Sequence, residues 1–229
     1  MTYVIAHRGA SKAAQENTLP AFRLARTMGA EWVELDARRA DDGVVVVHHD
    51  AHLADGRILA EVSSDDLPPY IPNLAEALEA CEAISVNIEI KNLPNDPDYD
   101  EDHLVADAVA GLEQAYLGPE RALITSFNID AVDRIRAVDP SIPCGWLLYE
   151  MTDPASAIDR AVAHEMTTIH PWDILVDINF VNRAHAAGLL VNVWTVDDPE
   201  RMVELIEIGV DGICTNVPDV ARSAIDKRG

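Results

Sequence analysis

Lysine is scarce in this chain of 229 residues, which contains only Lys12, Lys91 and Lys227. Lysine and arginine together number 17 against 40 aspartates and glutamates, so the formal net charge is −23. A surface with that charge repels nucleic acids and anionic membranes, and we expect neither as a stable partner. The excess of acid is also typical of halophilic proteins. This hypothesis predicts greater stability in molar KCl than without salt, which thermal unfolding across a KCl series measures.

Cysteine and long apolar runs are also lacking. Cys81, Cys144 and Cys214 are odd in number and far apart, so they form no metal or redox motif, and we expect small core residues in a reducing, cytoplasmic compartment. No stretch approaches the roughly 18 apolar residues that a membrane span requires. The first ten residues are interrupted by His7 and Arg8, which indicates a strand and not a signal peptide.

Apolar runs alternate with amphipathic segments along the whole chain, and no Ser/Gly-rich or Pro-rich linker divides it. We therefore expect one domain, residues 1–229, of the α/β class. Eight runs resemble core strands: Val4–Ala6, Trp32–Asp36, Ser85–Lys91, Ala122–Ser126, Cys144–Tyr149, Thr167–His170, Leu190–Val196 and Gly212–Thr215. Eight βα units of this length predict a (β/α)8 TIM barrel. An open doubly wound sheet is the alternative, but its glycine-rich nucleotide fingerprint is missing.

One additional apolar run falls outside the eight units. The turn signal Asp41-Asp-Gly43 predicts that Val44–His48 folds back on the second strand as a β-hairpin arm. A short insertion, about Ala51–Tyr70, follows the hairpin. The stretch Asn95–His103 is acidic and rich in turn residues, which predicts an exposed loop, although an additional cation site there is an alternative.

Charged side chains collect where the predicted strands end, which is the end of a barrel that carries active sites. Glu34 and Asp36 project to one face of their strand because side chains alternate, and Glu89 ends the next barrel strand. Three converging carboxylates repel one another, and a divalent cation relieves that conflict. Oxygen ligands favour Mg²⁺ or Ca²⁺ over zinc. The alternative is a set of salt bridges with Arg8, Arg38 and Lys91.

Two histidines and two cations accompany these carboxylates. His7 follows the first strand and His49 follows the hairpin, where Asp50 is placed to orient the His49 ring. Imidazoles titrate near neutral pH and are suited to proton transfer. Arg8 and Lys91 bring positive charge into an otherwise acidic protein, and cations beside a metal suit a phosphate oxyanion.

Short motifs occur in a fixed order along nearly the whole chain. They are AHRG (6–9), ENT (16–18), ELD (34–36), DG (42–43), VVHHD (46–50), IPNLAEAL (71–78), IEIK (88–91), SF (126–127), VWTV (193–196) and GVDGICTN (209–216). In this order they resemble the glycerophosphodiester phosphodiesterase family.

The resemblance implies a TIM barrel that hydrolyses glycerophosphodiesters to glycerol 3-phosphate and an alcohol, with one divalent cation, Mg²⁺ or Ca²⁺. By position it implies metal carboxylates at Glu34, Asp36 and Glu89, an acid–base pair at His7 and His49, and phosphate ligands at Arg8 and Lys91. Glu16 resembles a supporting acid that orients the first histidine or the metal shell. Trp194 and Phe127, with Trp172 as a further candidate, are predicted to form an apolar wall against the glycerol carbons.

Several questions stay open at the level of sequence. The family usually ends its last motif in Thr-Asp, whereas this chain has Thr215-Asn216. A lysolipid-cleaving or cyclising phosphodiesterase is a second candidate, and a non-catalytic barrel that binds phosphodiesters is a third. The order of the two histidines as base and acid, with His7 favoured as the base, the direct or cyclic route of hydrolysis, the alcohol group and the oligomeric state are not fixed by these motifs.

Overall fold

Parallel strands and helices alternate in the computed structural model, which describes residues 2–150 and 153–227. The strands are β1 Tyr3–Ala6, β2 Trp32–Arg39, β3 Val45–Val47, β4 Ser85–Ile90, β5 Ala122–Ser126, β6 Cys144–Leu148, β7 Thr168–Pro171, β8 Leu190–Val193 and β9 Gly212–Thr215. The α-helices are α1 Leu19–Thr27, α2 Leu74–Ala80, α3 Leu104–Tyr116, α4 Ile129–Val138, α5 Pro154–Ala163, α6 Ile178–Ala186, α7 Pro199–Glu207 and α8 Pro218–Asp226.

The sheet closes on itself through its first strand. β1 pairs in parallel with both β2 and β9, so Ile5 lies opposite Trp32 on one side and Cys214 on the other. Every other barrel strand is also parallel to its neighbours. The predicted TIM barrel is therefore confirmed, and the open doubly wound sheet is excluded by this closure.

The hairpin arm is also confirmed. β3 runs antiparallel to β2, with Ala37 opposite Val47 and Arg39 opposite Val45. β2 ends at Arg39, three residues beyond the predicted Asp36, because its last residues are held by β3 after the barrel ladder has finished. The carboxyl end of β2 is thus supported by its hydrogen bonds to β3.

The strands and helices form where local chemistry favours them. Thr18 caps α1 by accepting a hydrogen bond from the Ala21 N–H, and Asn73 caps α2 in a reciprocal capping box with Glu76. Leu35 and Ile88 are fully buried in the main apolar core, on the strand face opposite the carboxylates. The polar face of these strands is therefore free to form a site.

The insertion after the hairpin has a small core that it shares with the hairpin. Two 3₁₀ turns, Leu59–Glu61 and Ser64–Asp66, bring together Ala40, Val46, Leu53, Leu59, Val62 and Ile71. The three cysteines are free and buried, as expected. In the part of the chain that the structure describes, no helix has the length and apolar character needed to cross a membrane.

Glu113 is an ionisable side chain in α3 that is fully buried, and neither of its carboxyl oxygens has a hydrogen-bond partner. Burial, with the nearby charges of Asp139 and Glu120, raises the pKa of Glu113. A raised folded-state pKa means that stability falls as pH rises from the ordinary value through the raised one. Glu113→Gln should therefore stabilise the protein at neutral pH by about 1 kcal/mol, because the neutral amide avoids the cost of burying a charge and keeps only that of a buried polar group.

Denaturant unfolding of Glu113→Gln near pH 7 and again near pH ~4 measures this effect. The gain should shrink at the lower pH, where both forms are neutral. Glu82 is an exposed glutamate after α2 and is not among the charges that act on Glu113, so Glu82→Gln is the matched control and should change stability little. A Glu113→Gln protein less stable than the wild type at both pH values would contradict the prediction.

Candidate active site

The first strand ends in a tight turn that presents His7 and Arg8 to the barrel mouth. Gly9 has a φ of +79°, and a Cβ at that position would lie 2.7 Å from the Ala21 backbone carbonyl carbon of α1. Only glycine allows this approach. The Arg8 N–H donates to Glu34 Oε2 at 2.8 Å, which fixes the turn to β2.

The three predicted carboxylates converge. Asp36 lies opposite Glu89 in the β2–β4 register, and Glu34 precedes Asp36 by two residues on the same face. One oxygen from each of Glu34, Asp36 and Glu89 lies within 4.8 Å of the others. All three are buried, with 4%, 1% and 7% exposure respectively. The structure thus brings together an oxygen-only cluster of the kind that hard divalent cations prefer.

Two cations lie within this cluster. Lys91 Nζ is 2.6 Å from Glu89 Oε1 and 3.1 Å from Asp36 Oδ1, and Arg8 Nε is 3.3 Å from Asp36 Oδ2. Two cations face three carboxylates, and Glu34 Oε1 is buried without any hydrogen-bond partner. The salt-bridge alternative therefore accounts for Asp36 and Glu89 and leaves Glu34 incompletely compensated.

The ionisation of these groups follows their surroundings. Burial, followed by the charges of Asp36 and Glu89, raises the pKa of Glu34 well above its usual value. Burial would also raise the pKa of Asp36, but Lys91 and Arg8 hold it below the usual range. Burial opposes the charge on Lys91, yet Asp36 and Glu89 raise the pKa of that ammonium. Glu34 is therefore the carboxylate that Arg8 and Lys91 leave uncompensated, so its neutral form is favoured and an added cation would favour its charged form.

His7 is oriented from the other end of the chain. Its Nδ1 is 2.7 Å from Asn216 Oδ1, and Asn216 Nδ2 donates to Asp197 Oδ2 at 2.7 Å. Because the amide NH₂ is directed to Asp197, the amide oxygen faces His7 and accepts from Nδ1–H, which leaves Nε2 as the unprotonated nitrogen. Burial and the charge of Arg8 lower the pKa of His7, which favours the neutral ring.

His49 has a different partner. Its Nδ1 lies 2.7 Å from Asp50 Oδ1, as the sequence predicted, so the carboxylate holds the orientation of the ring. The two histidines line the same cleft, together with Arg8, Glu34, Glu89 and Lys91. One histidine is thus held by an amide and the other by a carboxylate, on facing sides of one site.

An aromatic wall completes the cleft, whose volume is about 240 Å³. The rings of Phe127 and Trp194 meet edge to face with centroids 5.4 Å apart, and Lys91 Nζ lies 6.0 Å from the Phe127 centroid. Tyr149, which the sequence analysis did not select, also lines the cleft and is 64% exposed. Trp172 does not line it and instead stacks on Tyr149 at 5.8 Å.

The first two residues of the ENT motif, Glu16 and Asn17, have separate roles. Glu16 is half exposed and pairs with Arg8 at 2.9 Å, so its contact is with the arginine and not with His7 or the carboxylates. Asn17 makes the contact that was assigned to Glu16: its Nδ2 donates to Asp36 Oδ2 at 2.7 Å. The ENT motif includes Asn17, but the sequence does not show that this residue has a φ of +55°, the backbone conformation that directs its side chain inward.

Two further polar side chains, His170 and Arg38, have surroundings that the sequence did not indicate. His170 is buried in the barrel beside Thr168 and lines the cleft. Its pKa is lowered to about 3 by burial, so the ring is neutral. Arg38 does not line this cleft but pairs with Asp96 and Asp98. The acidic loop is therefore partly buried, and not simply exposed.

A closed parallel barrel with a polar cleft at the carboxyl ends of its strands defines the class of TIM-barrel enzymes. The model of the glycerophosphoryl diester phosphodiesterase family matches residues 7–220. A glycerophosphodiester phosphodiesterase of Caldanaerobacter subterraneus subsp. tengcongensis is 32% identical, across 100% of this chain and 99% of that relative. The chain belongs to the glycerophosphoryl diester phosphodiesterase family and is a hydrolase of that family.

Solved structures agree with this assignment. An Oleispira antarctica phosphodiesterase in complex with the product sn-glycerol-3-phosphate has a TM-score of 0.90 and 27% identity, covering 99% of this chain and 97% of that one. A glycerophosphodiester phosphodiesterase of Thermotoga maritima has a TM-score of 0.83 and 25% identity, covering 97% and 98%. The similarity thus extends over whole chains on both sides.

Proposed function

We propose that this enzyme hydrolyses glycerophosphodiesters to glycerol 3-phosphate and an alcohol. The observation that carries the proposal is the convergence of two differently partnered histidines, two cations and three carboxylates on one cleft. The glycerol 3-phosphate product bound to the similar Oleispira enzyme supports the substrate class.

The carboxylates fit a divalent cation. Glu34, Asp36 and Glu89 would hold it, since they supply only oxygen ligands and Glu34 Oε1 is buried without a donor. Such oxygen sets suit Mg²⁺ or Ca²⁺. When bound, the cation supplies charge stabilisation to the phosphate oxygens. Arg8 and Lys91 share that work, because both lie at the cluster and line the cleft.

The different partners of the two histidines support different roles for them. His7, neutral with Nδ1–H on Asn216, has a free Nε2 that takes a proton from the attacking water. The water oxygen forms a bond to phosphorus, and the bond from phosphorus to the alcohol oxygen breaks. His49, whose ring is oriented by Asp50, gives its proton to that alcohol oxygen. Asn216 in place of the usual Asp suits His7 to the role of base.

The remaining parts of the proposal concern the surroundings of the site. Phe127 and Trp194 pack against the glycerol carbons, and Glu16 supports Arg8 through their ion pair. We propose one catalytic domain in residues 1–229 and a cytoplasmic location, which the free buried cysteines support. The charge of −23 supports a small-molecule substrate, with neither nucleic acid nor membrane as a stable partner, and adaptation to salt.

Release of glycerol 3-phosphate from glycerophosphocholine and glycerophosphoethanolamine tests the function. The assay is run with Mg²⁺, Ca²⁺ or EDTA at low and at molar KCl. Metal-dependent release is expected, and it should be higher in KCl because salt screens the repulsion among surface carboxylates. Metal-dependent substrate binding without any product would instead indicate a binding protein and overturn the proposal.

A second candidate rests on the exposed aromatic rim. Tyr149 and Trp172 stack beside the cleft, and Ile174 is 70% exposed in the same loop region, so an acyl chain could lie along this edge. Lysophosphatidylcholine in the same assay tests it by release of choline and lysophosphatidic acid. Accumulation of a cyclic phosphate from either substrate would show that the neighbouring hydroxyl, and not water, attacks phosphorus.

A further inference from the structure

Arg38 makes three hydrogen bonds from a buried position at the end of β2. Its Nε donates to the His49 backbone carbonyl oxygen at 2.9 Å. Its two terminal nitrogens donate to Asp98 at 2.6 Å and to Asp96 at 3.1 Å. The Arg38 side chain is only 5% exposed. A guanidinium held at three points has little freedom, so it can hold another group still.

His49 lies where the hairpin ladder has already ended. The last paired residues are Ala37 and Val47, and the His48 N–H bonds to the Asp36 carbonyl. Within residues 2–150 and 153–227, the bond from Arg38 is the sole hydrogen bond to the His49 backbone. Asp50 orients the ring, but it is the adjacent residue and moves with His49. The Arg38 side chain is therefore the direct hydrogen-bonded support of the His49 backbone.

The acidic loop that holds Arg38 is itself tied to the barrel. Asn92, buried just after β4, accepts from the Asp100 N–H and donates to the Asp100 carbonyl, both at 2.8 Å. The Asn92 carbonyl accepts from Asn128 Nδ2. Asp98 is 4% exposed beside Arg38. Asp96 and Asp98, in the loop where a cation site was the alternative, thus accept hydrogen bonds from the Arg38 guanidinium. Asn92 holds that loop against the barrel.

We propose that Arg38 is a positioning residue for His49, and that the loop Asn95–His103 serves as its anchor. The inference rests on the proposed function, in which His49 protonates the leaving alcohol. Loss of Arg38 frees the carbonyl of a residue whose ring must lie within hydrogen-bond reach of that oxygen. Misplacement by about 1 Å costs up to ~10²-fold in rate.

Two substrates with different leaving groups separate this role from a general loss of structure. Glycerophosphocholine expels an alkoxide, which needs a proton from the acid. A glycerophospho-p-nitrophenyl ester expels a stable phenolate, which needs little or none. The ratio of the two rates does not depend on the fraction of folded enzyme. The variants are Arg38→Gln, His49→Ala and the double mutant, each assayed as the full chain with metal.

Arg38→Gln should lower kcat for glycerophosphocholine by roughly 10–10²-fold, and change kcat for the nitrophenyl ester by less than about threefold. His49→Ala should show the same selectivity more strongly. The double mutant should be no slower than His49→Ala, since residues that act through one another are not additive. Arg38→Lys should recover only part of the rate because an ammonium cannot make the three-point contact.

Asp98→Asn provides a milder variant if Arg38→Gln does not fold, and it should shift the ratio in the same direction. Arg57→Gln is the matched control, since Arg57 is an exposed arginine that pairs with Asp55 in the neighbouring insertion. It should leave both rates unchanged. Selectivity in His49→Ala but none in Arg38→Gln or Asp98→Asn would overturn the positioning role alone. Equal losses on both substrates in His49→Ala would instead overturn the proposed acid.

Discussion

Glu34→Gln is expected to lose about 10³-fold in turnover while the metal-free protein becomes no less stable. The loss follows because a bound cation contributes several kcal/mol of charge stabilisation in the transition state, and each 1.36 kcal/mol is tenfold in rate. The unchanged or improved stability follows because Glu34 is buried among like charges and one of its oxygens has no donor. Removing its charge relieves repulsion in the apo state.

Calorimetric titration with Mg²⁺ and Ca²⁺ measures the loss of metal affinity, and thermal unfolding in EDTA measures the apo stability. Asp36→Asn is the informative comparison. Asp36 is paired with Lys91 and Arg8, so its replacement should weaken metal binding and also destabilise the apo protein. Normal metal affinity in Glu34→Gln, or a clear drop in its apo stability, would show that Glu34 belongs to the salt-bridge set.

His7→Ala and His49→Ala should each lose about 10²–10⁴-fold in kcat and retain the fold, as expected for a lost proton transfer. The free-enzyme pH profile should report His7 on its acidic limb. A base must be deprotonated, so activity falls as pH drops through its pKa, which burial and Arg8 place below the ordinary 6.5. The profile of kcat/KM against pH measures this.

His48→Ala is the matched control for both histidines. His48 is adjacent to His49, but it does not line the cleft, and the variant should be close to wild type in rate. Near wild-type turnover in His7→Ala or His49→Ala would remove that residue from the mechanism. An acidic limb that begins above the ordinary imidazole pKa would contradict the neutral, amide-held state of His7.

The barrel was predictable because its signals are local. Short apolar runs with period two, separated by helices with caps, define each βα unit, and Asp41-Asp-Gly43 defines the hairpin. Asp198, Pro199 and Gly209 are the start and stop signals of α7, Pro199–Glu207. The small core of the insertion was not predicted. Its six apolar residues are spread along the sequence from Ala40 to Ile71 and follow neither a helical nor a strand period. The sequence therefore contains no pattern that predicts their packing together.

The site was predictable only where strand periodicity governs it. Side chains alternate between the two faces of a strand, which placed Glu34 and Asp36 on the same face of β2. The ends of β2 and β4 are neighbours, so Glu89 and Lys91 were expected beside them. Contacts between distant segments follow no such rule. The partner of His7 is 209 positions away, and Arg38 meets its two acids about 60 positions later in a loop whose path depends on Asn92. Asn17 reaches Asp36 through a backbone conformation that its neighbours do not encode.

Closure of the sheet through β1 also governs the order in which the protein can be assembled. β1 forms one edge of the sheet until β9 arrives, although it is the first strand to be synthesised. The Asn216 amide that orients His7 follows directly after β9. A nascent or partly folded chain that has not docked β9 therefore has neither a closed ring of strands nor an oriented base. Long-range contacts form slowly in general, so we expect catalytic competence only after β9 has docked.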